Sequence, residues 1–163
     1  MGDTTNRGQD EAAETAAAAE AVADCMLDVS VDVPANAERA FKLWLDHVWL
    51  GGGGLGKPAI LEEGDTNHHR LHCVRRVAGG VKEKITAVDP FDAISYRIIG
   101  GPFPVRSHHA TVHFREKGPN VTNVHWHCEM DIPWGLQWIV TAITRFAFNR
   151  MLSALATAAA TSP

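Results

Sequence analysis

Apolar residues near the C-terminal end of the chain recur with the spacing of an amphipathic helix. In the segment Pro133–Ala160 they follow an i, i+3, i+4 rule, typical of a helix that packs one face on a core. The expected inner stripe comprises Leu136, Ile139, Val140, Ile143, Phe146, Ala147, Met151, Ala154 and Leu155. Pro133 suits the first turn of a helix, and Asp131 just upstream can cap it. The pattern therefore predicts one long C-terminal helix.

The predicted helix has apolar residues outside its inner stripe as well as within it. Four further apolar residues lie beside the stripe: Trp134, Trp138, Phe148 and Leu152. The length would suffice for a membrane span, which takes roughly 20 apolar residues. Arg145 and Arg150 argue against a span, since each would cost about 2.5–3.5 kcal/mol at the bilayer centre. We expect a packed helix of a soluble protein, with no transmembrane span.

Most of the chain before this helix alternates apolar and polar residues, as half-buried strands do. The predicted strands are Met26–Val33, Arg70–Val77, Val81–Val88, Ala93–Ile99, Arg106–Arg115 and Val121–Asp131. Turn signals such as Gly79-Gly80 join successive strands into hairpins. Asn36 is the expected N-cap of a short helix that runs to about Val48. Together the elements predict an α+β fold, in which a curved antiparallel sheet grips the long helix.

Composition and charge narrow the class of protein. The 163 residues fit one domain at 25–160 after an acidic, alanine-rich tail at 1–24, which we expect to be flexible or loosely helical. The net charge of −4 gives no basic surface, so nucleic acid is not an expected partner. Three widely spaced cysteines and the lack of a signal-peptide pattern lead us to expect a reducing, cytoplasmic location.

Nine histidines raise the question of a metal site. If Arg115 pairs with Asn123, the last hairpin has one apolar face and one polar face. That register gathers four histidines on the polar face: His109, His113, His125 and His127. A catalytic metal requires a shielded pocket with supporting contacts, which a solvated face does not provide. We predict neither a metal nor a cofactor.

A glycine-rich segment, GGGGLGK at Gly51–Lys57, follows the short helix. Its spacing is close to that of a phosphate-binding P-loop, but Pro58 stands where the motif needs Ser or Thr to reach magnesium. The motif also needs a preceding strand and a following helix, whereas an extended segment, Pro58–Glu63, comes next. We expect a connection whose glycines let the backbone pass close to a neighbour, such as the rim of a cavity.

Charged residues at inward positions are more informative than the exposed histidines. Glu83 shares its strand face with apolar residues, and Tyr96 has the inward parity on the next strand. Depending on the turn at Gly79-Gly80, either Arg75 or Arg76 lies opposite Glu83. A buried carboxylate needs a partner. These residues therefore form either a structural ion pair beside a tyrosine or a polar cluster that orients a ligand in an apolar pocket.

Four parts of the chain resemble the START-like, or SRPBCC, superfamily, which includes the birch-pollen allergen, lipid-transfer START domains and polyketide cyclases/dehydrases. They are VSVDVPANAERAFKLWLD (29–46), VRRVAGGVKEKITAVDPFDAISYRI (74–98), VTNVHWHCEMDIPWG (121–135) and the C-terminal helix. The resemblance covers roughly residues 26–158. It implies a helix-grip fold with a deep apolar cavity, bordered by Arg75, Glu83, Tyr96, Trp126 and the helix. The glycine-rich segment departs from the superfamily pattern.

Three functions are compatible with these features. The first is binding or carriage of a hydrophobic, lipid- or polyketide-like small molecule, with its polar end oriented by Arg75, Glu83 and Tyr96. The expected apolar walls are Trp44, Phe103, Trp126, Ile139, Ile143 and Phe146. The second is a cyclase or dehydratase for a polyketide-like substrate, with Glu83 as base and Tyr96 as acid or oxyanion donor. The third is a protein-interaction module that forms a homodimer through the apolar helix surface.

Overall fold

The computed structural model of the chain describes residues 24–161. Apart from Asp24, the tail predicted for residues 1–24 lies outside the described residues. Within residues 24–161, seven strands form one antiparallel sheet in the order β1-β7-β6-β5-β4-β3-β2. They are β1 (Cys25–Val33), β2 (Ala59–Glu62), β3 (Val74–Arg76), β4 (Lys82–Asp89), β5 (Ala93–Gly100), β6 (Ser107–Gly118) and β7 (Val121–Asp131). Strands β2 to β7 follow in chain order, so the predicted meander is confirmed.

Two helices lie against one face of the sheet. Helix α1 (Ala37–Leu43) begins as predicted, because the side chain of Asn36 accepts a hydrogen bond from the Arg39 backbone N–H at 2.9 Å. It continues as a π-helical segment, Trp44–Leu50. Helix α2 (Gln137–Thr161) is the long C-terminal helix. The predicted helix-grip architecture is therefore confirmed.

Helix α2 begins four residues later than the predicted start at Pro133. Gly135 has a φ of +87°, which interrupts a right-handed helix, and its N–H donates to Oε1 of Gln137 at 2.9 Å. Asp131 belongs to β7 instead of capping the helix. No helix in the described part of the chain is long and apolar enough to cross a membrane.

The buried face of α2 differs from the predicted stripe. The residues that it buries are Val140, Thr144, Phe148, Met151, Leu152, Leu155 and Ala159. Phe148 stacks on Trp126 of β7 with ring centroids 4.2 Å apart, which fixes the rotation of the helix. Phe146 is consequently 67% exposed and Ile143 52% exposed, and Leu136 and Ile139 also face outward. The stripe was wrong at these positions, because apolar residues occur on more than one side of this half of the helix.

The register of the last hairpin is confirmed. Arg115 pairs with Asn123, and His113 pairs with His125.

The strand predicted at Arg70–Val77 is shorter in the structure, where only β3 (Val74–Arg76) is a regular strand. Arg70 and His72 have φ values of 67°, in the left-handed region, and follow a 3₁₀ turn capped by Asp65. Regular strand pairing therefore begins only at Val74, although the His72 N–H donates to the carbonyl of Ile85 at 3.1 Å and the Ile85 N–H donates to the carbonyl of Cys73 at 3.0 Å.

Candidate functional site

A cavity of about 310 Å³ lies between the sheet and α2. Strands β3 to β6, the β5–β6 loop, the glycine-rich segment and the middle of α2 all contribute to its lining. Most lining residues are apolar, among them Val81, Ile98, Phe103, Ile143, Phe148 and Met151. Charged and polar groups also line it: Arg75, Glu83, His108 and Thr144. An apolar chamber with a small number of polar groups is the usual form of a small-molecule site.

Arg75 is the partner of Glu83. Val77 donates its N–H to the carbonyl of Val81 at 2.9 Å, and this turn pairs Arg75 with Glu83 across β3 and β4. Nε of Arg75 lies 2.7 Å from Oε2 of Glu83. Of the two registers that the sequence left open, the structure therefore has Arg75 inside, and Arg76 is exposed.

The guanidinium of Arg75 also holds the end of the first helical segment. Its Nη1 donates to the carbonyl oxygens of Val48 at 2.8 Å and Trp49 at 2.6 Å. These carbonyls belong to the last turn of a helix, where a cation is favoured by the helix dipole. The guanidinium also lies 3.9 Å from the ring centroid of Trp49. Nε and Nη1 of Arg75 are thus used by the protein, whereas Oε1 of Glu83 accepts no hydrogen bond from residues 24–161.

His108 is a cavity residue that the sequence analysis did not identify. It lies on β6 at the same parity as Ala110, Val112 and Phe114, which is the inward face of the sheet. Its exposed fraction is 7%, and its Nδ1 has no hydrogen-bond partner among the described residues. Burial lowers the pKa of His108 to about 4, although the nearby Glu83 carboxylate acts in the opposite direction. The imidazole is therefore neutral at pH 7.

Aromatic rings fill the interior next to the cavity. Trp44, Tyr96 and Trp126 are fully buried, and the ring of Trp126 lies 5.7 Å from that of Trp44 and 6.1 Å from that of Tyr96. None of these three residues lines the cavity. Burial, together with the charge of Glu83, raises the pKa of Tyr96 well above its ordinary value. The structure therefore places them behind the cavity wall, as packing.

The remaining predicted wall residues divide into two groups. Phe103, in the β5–β6 loop, and Ile143, in α2, line the cavity. Ile139 and Phe146 lie on the exposed side of α2 and do not. Four of the residues predicted from the sequence therefore meet in the cavity: Arg75, Glu83, Phe103 and Ile143.

A family model described as polyketide cyclase / dehydrase and lipid transport matches residues 12–161. The chain belongs to this family. The match confirms the START-like, or SRPBCC, resemblance that the sequence indicated. No curated protein matches the sequence.

Solved structures with the same fold support this placement. Norcoclaurine synthase from Thalictrum flavum is 18% identical, with a TM-score of 0.66 over 85% of this chain and 87% of that one. Ara h 8.0201 is 15% identical, with a TM-score of 0.67 over 85% of this chain and 99% of its own. A Thermobifida fusca protein is 22% identical, with a TM-score of 0.66 over 80% and 90% of the two chains. At these identities the similarity establishes the fold alone.

The glycine-rich segment of this family member forms part of the cavity wall. Gly52, Leu55 and Gly56 line the cavity. A Cβ on Gly53 would lie 2.5 Å from Cγ of Met151 in α2, and Gly53 has a φ of +56°. Only glycine allows both the conformation and the close approach at this position. The segment therefore brings backbone against the helix, which agrees with the expected cavity rim.

The outer face of the sheet carries the histidine cluster at a distance from the cavity. Asp28 Oδ1 lies 2.9 Å from both His125 Nε2 and His127 Nδ1. These contacts lower the pKa of Asp28, and hydrogen bonding to Asp28 raises the pKa of His127. Within residues 24–161 no group of three or more His, Cys, Asp or Glu side chains is arranged to hold a metal ion. The cluster is a network of polar side chains on the outer face of the sheet.

The two buried cysteines have packing roles. Trp49 Nε1 donates to Sγ of Cys73 at 3.3 Å, which satisfies a buried indole. Burial raises the pKa of Cys128 far above its ordinary value, so its thiol stays protonated. Neither sulfur lines the cavity.

Proposed function

We propose that this protein binds a hydrophobic small molecule in the cavity beneath α2. One observation carries the proposal: the cavity of about 310 Å³ has apolar walls, and its polar groups include the bonded pair Arg75 and Glu83. Apolar burial, at roughly 25 cal/mol per Å², supplies affinity for such a ligand. The polar groups would fix its orientation. Membership of a family described by cyclase, dehydrase and lipid transport activities supports the same class of ligand.

The volume indicates which ligands have room inside. A dry cavity of roughly 150 Å³ is enough for benzene. A cavity of about 310 Å³ therefore has room for two fused rings or one short chain. The norcoclaurine synthase structure in complex with dopamine and hydroxybenzaldehyde shows that this fold can hold single-ring compounds.

A ligand screen with two matched variants tests the proposal. Native mass spectrometry and thermal shift would be applied to a panel of fused-ring, polyketide-like and short-chain compounds. Ile143→Trp adds bulk at the cavity wall, whereas Phe146→Trp adds it on the outer side of the same helix. We expect ligands to stabilise the wild type and Phe146→Trp, and to bind Ile143→Trp at least about tenfold more weakly. Failure of every compound to bind the wild type would contradict the proposal.

A cyclase or dehydratase is the second candidate, because the Glu83 carboxylate lines the cavity as a base would need to. Tyr96 lies behind the wall, so its assignment as the acid has less support than that of Glu83. Glu83→Gln should abolish turnover of a bound ketide and leave its binding intact. Tyr96→Phe should leave both unchanged if its role is packing. Unchanged turnover in Glu83→Gln would exclude this mechanism.

Self-association is a third candidate function. Trp134 is 92% exposed and Trp138 is 73% exposed, which is unusual for such large apolar side chains. A second copy of the chain is the expected partner of this surface. Light scattering should give the mass of a dimer for the wild type and of a monomer for Trp134→Ser/Trp138→Ser. A monomeric wild type at high concentration would remove this candidate.

We also propose that the protein works in a reducing compartment, as expected of a cytoplasmic protein. The proposal rests on Cys25, Cys73 and Cys128, which are all free thiols. Cell fractionation of the tagged full chain would test it. Recovery in a membrane or secreted fraction would contradict it.

A further inference from the structure

Two polar groups in the cavity, the Glu83 carboxylate and the His108 imidazole, have hydrogen-bonding capacity that the protein does not use. Glu83 Oε2 accepts from Arg75, but no hydrogen bond to Glu83 Oε1 is formed by residues 24–161. Nδ1 of His108 likewise has no partner within that range. Buried polar groups are nearly always hydrogen-bonded in folded proteins. A ligand that completes both sets of hydrogen bonds would gain affinity from them.

The charges around these groups select an uncharged ligand. Arg75 neutralises Glu83, so the pair has no net charge to attract an ion. His108 is a neutral imidazole at pH 7, because burial lowers its pKa to about 4. A ligand carboxylate would be repelled by the carboxylate of Glu83, and a ligand ammonium would be repelled by the guanidinium of Arg75. Either ion would lose its hydration without a free counter-charge.

A hydroxyl group matches the two residues in donor and acceptor character. A carboxylate only accepts hydrogen bonds, whereas a neutral imidazole carries one N–H donor and one acceptor nitrogen. A hydroxyl can donate its hydrogen to Glu83 and accept from the N–H of His108. Glu83 and His108 line the same cavity, so one ligand can contact both side chains.

We propose that the cavity recognises a compact, uncharged, mostly apolar compound by a hydroxyl group held between Glu83 and His108. The inference rests on the proposed ligand-binding function and adds the chemical class of the ligand. Phe103, Ile143 and Phe148 surround its apolar part. Arg75 is a positioning residue, because its bonds to the Val48 and Trp49 carbonyls hold the guanidinium that orients Glu83.

A probe pair that differs by one hydroxyl tests this inference. 2-Naphthol and naphthalene have the fused rings that a cavity of about 310 Å³ suits. Titrations followed by protein NMR would compare both probes with the wild type, His108→Phe and His109→Phe. His109 is the adjacent residue on the exposed face of β6 and serves as the matched control. The wild type and His109→Phe should bind 2-naphthol roughly ten- to a hundredfold more tightly than naphthalene. In His108→Phe this preference should disappear, while naphthalene still binds.

A second variant distinguishes a lost hydrogen bond from a folding defect in His108→Phe. His108→Gln keeps a donor and an acceptor, so it should retain part of the preference that His108→Phe loses. Equal affinities of the two probes for the wild type, or a preference that survives in His108→Phe, would overturn the role of His108 and leave ligand binding in place. Failure of both probes and of the wider panel to bind would instead contradict the proposed function.

Discussion

The interior of this protein has two regions that the same sheet and helix enclose in different ways. In the first, rings of Trp44, Trp126 and Phe148 fill the space, and Phe148 stacks directly on Trp126. In the second, Arg75 and Glu83 occupy the inward positions, and a cavity of about 310 Å³ remains. Phe148 belongs to both regions, since it also lines the cavity. Where the inward residues are large aromatic rings, the interior is packed. Where they are the paired charges of Arg75 and Glu83, space remains for a ligand.

Truncating the shared ring should have the largest effect on stability. Phe148→Ala removes a buried aromatic side chain and its stacking on Trp126, which should lower the free energy of unfolding by about 3–5 kcal/mol. Phe146→Ala, two positions earlier on the exposed side of α2, should change it by less than about 0.5 kcal/mol. Urea denaturation measures both. Similar losses in the two variants would contradict the rotation of α2 described above.

Loss of the ion pair between Arg75 and Glu83 should have the second-largest effect on the free energy of unfolding. Arg75→Met leaves Glu83 and two helix-end carbonyls without their donor, at a cost of about 3–5 kcal/mol in the free energy of unfolding. Arg75→Met/Glu83→Leu should recover part of that loss, because the unpaired carboxylate is gone. Arg76→Met, at an exposed position, is the control and should cost less than about 0.5 kcal/mol. A larger loss in Arg76→Met than in Arg75→Met would indicate the other hairpin register.

Acid should destabilise the protein through His108. The unfolded chain takes up a proton near the ordinary pKa of 6.5, whereas the folded protein keeps His108 neutral down to its pKa of about 4. The contribution of His108 to stability therefore falls by about 3 kcal/mol as the pH is lowered through this window. Comparing the pH dependence of unfolding in the wild type and His108→Gln isolates the effect. An identical slope in both proteins between pH 6.5 and 4 would contradict it.

Substitutions in the network of Asp28, His125 and His127 on the outer face of the sheet should have the smallest effect on stability. The raised pKa of His127 adds stability that is complete below pH 6.5 and is lost as the pH rises through the raised value. The lowered pKa of Asp28 adds stability that is complete above pH 3.8 and is lost as the pH falls through the lowered value. Because Asp28 is half exposed, Asp28→Asn should cost only about 0.2–1 kcal/mol near pH 6. If thermal unfolding showed that Asp28→Asn loses several kcal/mol of stability, the network would be a structural element of the outer face and this prediction would be wrong.

Most of the fold could be predicted from local sequence patterns. Alternation fixes a hairpin register wherever one face is apolar, and Arg115 pairs with Asn123 for that reason. Glu83 could be recognised as inward from its parity, but the conformation of the Gly79-Gly80 turn decided between Arg75 and Arg76. The inner face of α2 could not be found, because apolar residues occur on more than one side of its first half and the buried face includes the polar Thr144. Its rotation depends on the contact between Phe148 and Trp126, which are distant in sequence.

The candidate site was only partly predictable. His108 has the inward parity of Ala110 and Val112, so the signal was present in the strand pattern. The other histidines of β6 and β7 cluster on the opposite face, which makes them a stronger signal in the sequence than the single inward His108. The depth at which Tyr96 and Trp126 lie depends on the curvature of the sheet and on how many rings share the interior. Such packing cannot be read from alternation.

A crystal structure of the chain grown with 2-naphthol would show directly whether the cavity binds a hydroxylated ring compound. We predict density for the ring system among Phe103, Ile143 and Phe148, with its hydroxyl between Glu83 and His108. A cavity closed by the protein's own side chains, or a probe bound only against Trp134 and Trp138, would contradict it.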